Sequence, residues 1–359
     1  MKYKVKRGIN KLVNPCITLF LALFVSGVVF AGMGYNPFEA YYLILSSAFE
    51  STRALANILA NSIPLILAGL AVSVAGKAGV LNLGVEGQLY TGAMIGTLCA
   101  LFLPITNKIV MISIVLIMSI IGGAVWGGIV GGLKAKYGTN EVVVAIMLNY
   151  IAELFTTYLI ASPLKAENTA MNQTDLIPES ARFLRLVSST QITATVFIAI
   201  IVCIFVWILF KFTTLGYKMI CVGTNAAAAF ANGIRCNRYI ILAMCLSGAI
   251  AGLAGITEIT GRYYRFTENF SNDIGFTGVA IAALAGYHPV GVVAVALLFS
   301  ILNTGALRLG REMGISSNMS LVIQGIIVLF VATPYIICFI RDRKVKRGTG
   351  GVRKNAANT

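Results

Sequence analysis

Ten stretches of the chain are almost free of charge, at 13–33, 57–75, 84–103, 109–133, 142–161, 191–210, 239–257, 274–287, 290–307 and 319–340. A helix needs roughly 20 apolar residues to cross a bilayer core about 30 Å thick. The pattern therefore predicts an all-α, polytopic membrane protein with about ten transmembrane helices. The eighth stretch is short, and the third begins in a glycine-rich segment. Only 11% of the 359 residues are charged, against about 25% in soluble domains. That excludes a water-soluble enzyme.

The net charge of +15 reads as topology and not as a nucleic-acid surface. With the N-terminus placed in the cytoplasm, 19 of the 28 Lys and Arg fall in inside segments, as the positive-inside rule requires. The acidic residues lean outward. Both termini are then cytoplasmic, and an odd number of spans is excluded because it would place the basic tail outside. The first run follows MKYKVKRGINK and is too long for a signal peptide core, so it is expected to remain as an anchor. Residues 37–52 mix Tyr41, Tyr42 and Leu45 with Glu39 and Glu50, which suits a helix lying in the interface. The expected organisation is one transmembrane domain over 1–340, with a polar external loop at 162–190, a cytoplasmic loop at 211–238 and a basic tail at 341–359.

Sites for catalysis are scarce. His288 is the single histidine, which leaves a histidine metal site without further histidine ligands, and no nucleophile-base set stands out. Cys16, Cys99, Cys203, Cys221, Cys236, Cys245 and Cys338 are scattered without metal-binding or disulfide spacing and read as packing residues. Gly76-Lys77 resembles the end of a phosphate loop, but Ala71 and Ala78 break the pattern. The chain is expected to bind no metal or cofactor and to hydrolyse no ATP itself.

The polar residues inside this apolar chain carry the function. GKAGVLNLGVEGQ, at 76–88, holds Lys77, Asn82, Glu86 and Gln88 between two spans. Lys77 reads as a positive-inside anchor. Asn82 and Glu86, four residues apart, either cap and start the third helix or face a pore, since a carboxylate within a membrane usually faces a cavity or a partner. Asn82-Leu-Gly-Val-Glu-Gly87 is echoed by Asp273-Ile-Gly-Phe-Thr-Gly278, 191 residues later. In the expected topology one copy opens a helix from inside and the other from outside. That is the mark of an inverted repeat, which places substrate sites at broken helices near the membrane midplane. Asn82, Glu86, Gln88, Asn149, Asp273 and Phe276 are the candidate substrate-path residues. Asn140 and Glu141 can cap the fifth span, and Asn149, deeper in it, can instead bond across to a neighbouring helix. Gly123, Gly127 and Gly131, and likewise Gly248 and Gly252, repeat every four residues and predict close helix packing. In the cytoplasmic loop, Thr224 or Asn225 can cap a short helix over 226–231, with Gly233 in the left-handed conformation at its end.

The segments GKAGVLNLGVEGQLYTGA, NEVVVAIMLNYIA, GTNAAAAFANGI, LSGAIAGLAG and GFTGVAIAALAG resemble, in the same order, the signature segments of bacterial ABC-importer permeases. The superfamily is that of ribose and branched-chain amino acid permeases, with a type II importer fold. NLGVEGQ and MLNYIA are similar to the nucleoside branch, of purine-nucleoside or guanosine type. The simple-sugar branch has an Asp-containing stretch where NLGVEG stands. The resemblance covers roughly 55–340. It implies a permease dimer, here the larger of two unlike subunits, with cytosolic ATP-binding subunits and an external substrate-binding lipoprotein. It also implies that 216–234 docks on the ATPase, which assigns Gly223, Asn225, Ala227, Ala228 and Gly233 to coupling. Lipid is the remaining partner, and no nucleic acid is expected. An ion-coupled secondary transporter also uses inverted repeats but would carry a paired ion site deep in its spans.

Overall fold

A computed structural model describes residues 34–312, apart from 168, 188 and 189, together with Gly325 and seven positions between Phe24 and Gly32. The first expected span is thus described only in part, where it is helical. The last span, the tail, Cys16 and Cys338 lie outside the described residues.

The named elements are all helices: α1 (Pro37–Phe49), α2 (Thr52–Lys77), α3 (Val85–Phe102), α4 (Lys108–Tyr137), α5 (Glu141–Ala161), α6 (Thr195–Phe212), α7 (Thr214–Thr224), α8 (Ala226–Ala231), α9 (Cys236–Glu258), α10 (Ile274–Leu284) and α11 (Pro289–Glu312). A single π-helical turn, Ile259–Tyr263, extends α9. Six of these helices (α2, α4, α5, α6, α9 with its extension, and α11) are long and apolar enough to cross a membrane. With α3 and the short α10 they account for eight of the ten expected runs. Residues 37–49 form a helix, as their composition suggests.

The local chemistry explains the boundaries. Asn107 accepts from the Ile109 and Val110 amides to start α4, and Asn140 accepts from the Val142 amide to start α5. Gly138 closes α4 in the left-handed conformation, and Lys134 pairs across this turn with Glu141 at 2.5 Å. Among the described residues, Cys99, Cys203, Cys221, Cys236 and Cys245 are unpaired thiols.

The chain divides into two compact units. One comprises 1–48 and 301–359. Within it Phe30, Ala40, Ile44 and Leu309 form a small core, with Phe30 and Tyr41 edge to face at 5.8 Å. The second unit, 49–300, holds the rest. Its centre is made of α2 and α9, which are mostly buried, while α4, α5 and α6 expose most of their apolar surface, as helices facing lipid or a partner do.

The glycine repeats lie where two backbones touch. Gly123 and Gly127 of α4 stand against Gly248 of α9, and Gly131 stands against Met244. Ser119 donates to the Gly252 carbonyl at 2.8 Å across the same seam. Falling numbers on α4 meet rising numbers on α9, so these helices are antiparallel. Gly92 faces Gly252 and Gly96 faces Ile256, so α3 runs parallel to α9. Gly278 faces Ala68, Gly69 faces Ile281 and Gly76 faces Tyr287, so α10 and the turn after it run parallel to α2. Each repeat thus lays its second helix along the first helix of the other, which is the exchange that a two-fold related pair of repeats produces.

Candidate functional site

In the expected topology the first echoed segment opens α3 from the inside and the second opens α10 from the outside, at broken helices, and the structure brings the two starts together. Asn82 donates from Nδ2 to Ser247 Oγ at 2.8 Å. Ser247 is 11 residues into α9, about three turns from its start. The segment 78–84 therefore folds back among the helices, and α3 begins inside the bundle. On the other side the chain leaves α9 at Tyr263 and returns along Tyr90, whose ring packs edge-on against Phe270 at 4.9 Å and Phe266 at 6.2 Å. This second re-entrant segment delivers the start of α10 to the start of α3.

The first helix start is a closed polar knot. Asn82 does not cap α3 directly; the capping position is Gly84. The Asn82 side chain accepts from the Gly84 amide at 2.9 Å, donates to Gln88 Oε1 at 2.9 Å and accepts from Gln88 Nε2 at 3.2 Å. Ser247 passes its own proton to the Ala71 carbonyl at 2.6 Å. From α5, Asn149 accepts from the Gly87 amide and donates to the Leu83 carbonyl, both at 2.8 Å. Asn82 and Gln88 are wholly buried, and Asn149 nearly so. Their polar atoms are engaged by the chain itself, which agrees with the cross-helix alternative for Asn149.

The second start is more open. Asp273 takes a left-handed conformation (φ 62°) and makes no side-chain cap. Asp273 is exposed, and Phe276 is 42% exposed. What holds this start comes from the first copy. The buried Glu86 carboxylate accepts from the Gly275 amide at 2.6 Å through one oxygen and from the Ser271 hydroxyl through the other. Ser271 Oγ in turn accepts from the Ile274 amide at 3.2 Å. Of the candidate path residues, the structure gathers Asn82, Glu86, Gln88 and Asn149 around α3, with Asp273 and Phe276 beside them on α10. Ser247 and Ser271 were not singled out from the sequence. A lone hydroxyl in an apolar run has no spacing signal.

The candidates for coupling form a separate group. Asn225, not Thr224, caps α8 by accepting from the Ala228 amide at 3.1 Å. Gly233 is left-handed at φ 76°. Ala227 and Ala228 are exposed on α8. The additional helix α7 precedes it, and Gly223 near its end abuts the turn after α2. A methyl group there would stand 2.7 Å from the Gly79 nitrogen. The described part of 162–190 is tied to the segment after α9. Thr174 and Ile177 donate to the Phe266 and Tyr264 carbonyls at 2.9 Å each, and Arg182 and Arg185 lie over the Tyr264 ring.

Residues 54–332 match the family of the branched-chain amino acid transport system permease component. The chain belongs to that family. It is a multi-pass membrane permease. Similar proteins include the nucleoside ABC transporter permease protein NupB of Lactococcus lactis, 36% identical over 91% of this chain and 92% of that one. The guanosine ABC transporter permease protein NupP of Bacillus subtilis is 33% identical over 96% of this chain and 99% of its own length. The glucose ABC transporter permease protein TsgB13 of Haloferax volcanii is 30% identical over 89% of this permease and 87% of its own length.

Proposed function

We propose that this permease is the membrane subunit of an ATP-driven importer of nucleosides. The similarity to NupB and NupP, which spans nearly the full length of all three chains, carries this reading. The TsgB13 likeness supports a simple sugar as the second reading. The chain itself contributes no catalysis and binds no cofactor; ATP is used by a cytosolic partner. That partner docks on α8 through the exposed Ala227 and Ala228, with Gly223, Asn225 and Gly233 shaping the element. An external lipoprotein delivers substrate, and a second, shorter permease completes the path as a heterodimer. Both termini lie in the cytoplasm, in keeping with the charge distribution. The path runs past the two helix starts. Asp273 and the Phe276 ring are open to it, and Asn82, Glu86, Gln88 and Asn149 form the wall behind. Stacking of a base on an aromatic ring contributes about 1–3 kcal/mol in nucleic-acid systems.

The test is uptake of labelled guanosine by cells that express this chain with the ATPase and the lipoprotein, with and without the second permease. Competition with unlabelled nucleosides but not with ribose or glucose supports the nucleoside reading. Competition by sugars alone replaces it with the second reading, and full uptake without the second permease refutes the heterodimer. Ala227→Glu is expected to abolish uptake and co-purification of the ATPase. Normal values of both would remove α8 from the docking role.

A further inference from the structure

Glu86 is a buried carboxylate, 6% exposed, in the first turn of α3, and among the described residues no Lys or Arg pairs with it. A lone carboxylate at membrane depth is costly and needs a reason to be there. The geometry supplies one. The carboxylate lies at the positive end of its own helix and accepts from the Gly275 amide in the first turn of α10. One anion thus serves two helix N-termini, each of which favours negative charge. The same group also takes the Ser271 hydroxyl. That leaves Ser271 Oγ as the acceptor for the Ile274 amide, so both bonds act on the start of α10.

The fit is close. A Cβ on Gly275 would stand 2.5 Å from the Glu86 nitrogen and 2.6 Å from its Oε2. The start of α10 thus lies directly against the backbone of the first turn of α3 at residue 275. Phe276, the next residue, is held by the same bonds at the edge of the exposed face.

We propose that Glu86 is a positioning residue for transport. Its carboxylate pins the start of α10 to the start of α3 and so holds Phe276 and Asp273 in place, and it does not touch the transported molecule. The proposal rests on the transport reading above. It assigns Glu86 a role that a path-lining acid would not have: loss of the carboxylate lowers the rate and leaves substrate recognition alone.

The experiment uses the complete complex in proteoliposomes. Glu86→Gln keeps the shape but cannot accept from both Ser271 and Gly275 as a carboxylate does. A charge-assisted hydrogen bond is about twice as strong as a neutral one, and maximal uptake is expected to fall about tenfold, the rate equivalent of losing one such bond. The concentration for half-maximal uptake stays within about twofold, because uniform binding is untouched. Ser271→Ala lowers the maximum in the same way, and the double variant is no worse than Glu86→Gln alone, since both act on one contact. A change in half-maximal concentration that differs between nucleosides, with Ser271→Ala silent, would overturn the proposal in favour of direct contact. A second readout does not depend on what is carried. Phe276→Cys is labelled by a small maleimide with and without Glu86→Gln, against Val290→Cys as reference. The pin predicts a several-fold change at 276 and none at 290. An unchanged ratio in an assembled complex sinks the pin even if the nucleoside reading stands. A changed ratio in a complex that carries no nucleoside upholds the pin and sinks that reading.

Discussion

The two echoed helix starts share a pattern, and they are built in opposite ways. Around Asn82 the polar side chains bond to one another and to neighbouring helices, and Asn82 and Gln88 are wholly buried. Around Asp273 the backbone is left-handed, the local side chain makes no cap, and support arrives from Glu86 on the other copy. A shared sequence rhythm thus fixes a break in the helix and leaves open which copy is rigid. The rigid copy anchors the bundle, and the open one presents an exposed ring beside the proposed path.

The sharpest way to break this comparison is Asn82→Leu. It leaves the Gly84 amide, Gln88 and Ser247 short of partners in a dry site, at a cost of about 3 kcal/mol or more. The thermal unfolding midpoint of the purified permease in detergent is expected to fall by several degrees. A midpoint that does not move would mean the knot contributes no rigidity. Next in size are the final glycines of the two motifs. A methyl on Gly278 meets the backbone of Ala68 at 2.8 Å, and one on Gly87 meets Asn149 Oδ1 at 2.9 Å. Gly278→Ala and Gly87→Ala should each cost about 1–3 kcal/mol by overpacking. Similar losses of midpoint would show that the copies differ in their polar support and not in their packing. The smallest effect belongs to Asp273→Gly. Glycine adopts φ 62° without the Cβ penalty, so the midpoint should hold or rise slightly, by the equivalent of about 0.5 kcal/mol. A marked fall would reveal a stabilising partner for Asp273 and erase part of the contrast.

Much of the architecture could be read from the residues because charged or turn-forming residues separate the apolar runs. The expected run 142–161 differs by one residue from α5, and Asn140 caps it as its position predicted. Asn225 and Gly233 bracket α8 as expected, because a cap and a left-handed glycine are local devices. The re-entrant courses were not legible. Hydropathy measures how apolar a helix is, and a helix starting inside the bundle has the same composition as one starting at its mouth. The Glu86–Ser271 contact joins residues 185 apart, and no spacing rule reaches that far. The ordering of 162–190 depends on carbonyls of the π-helical turn and the strand-like run after it, which offer no side-chain signal at all.

The contact between Gly79 and Gly223 has a mechanical consequence. At that point the backbone of α7 meets the backbone of the turn leading into Asn82, beside the packed side chains of Ala78 and Met219; Gly79 is left-handed at φ 78°, and its Cβ would stand 2.8 Å from the Gly223 Cα. Side chains act as compliant padding, because a rotamer change absorbs part of any displacement. Two glycines supply none, and close-packed protein is stiff. A shift of α7 therefore reaches the backbone of residues 78–80 with little damping at this contact, so the spot behaves as a stiff bearing between α7 and the turn into α3.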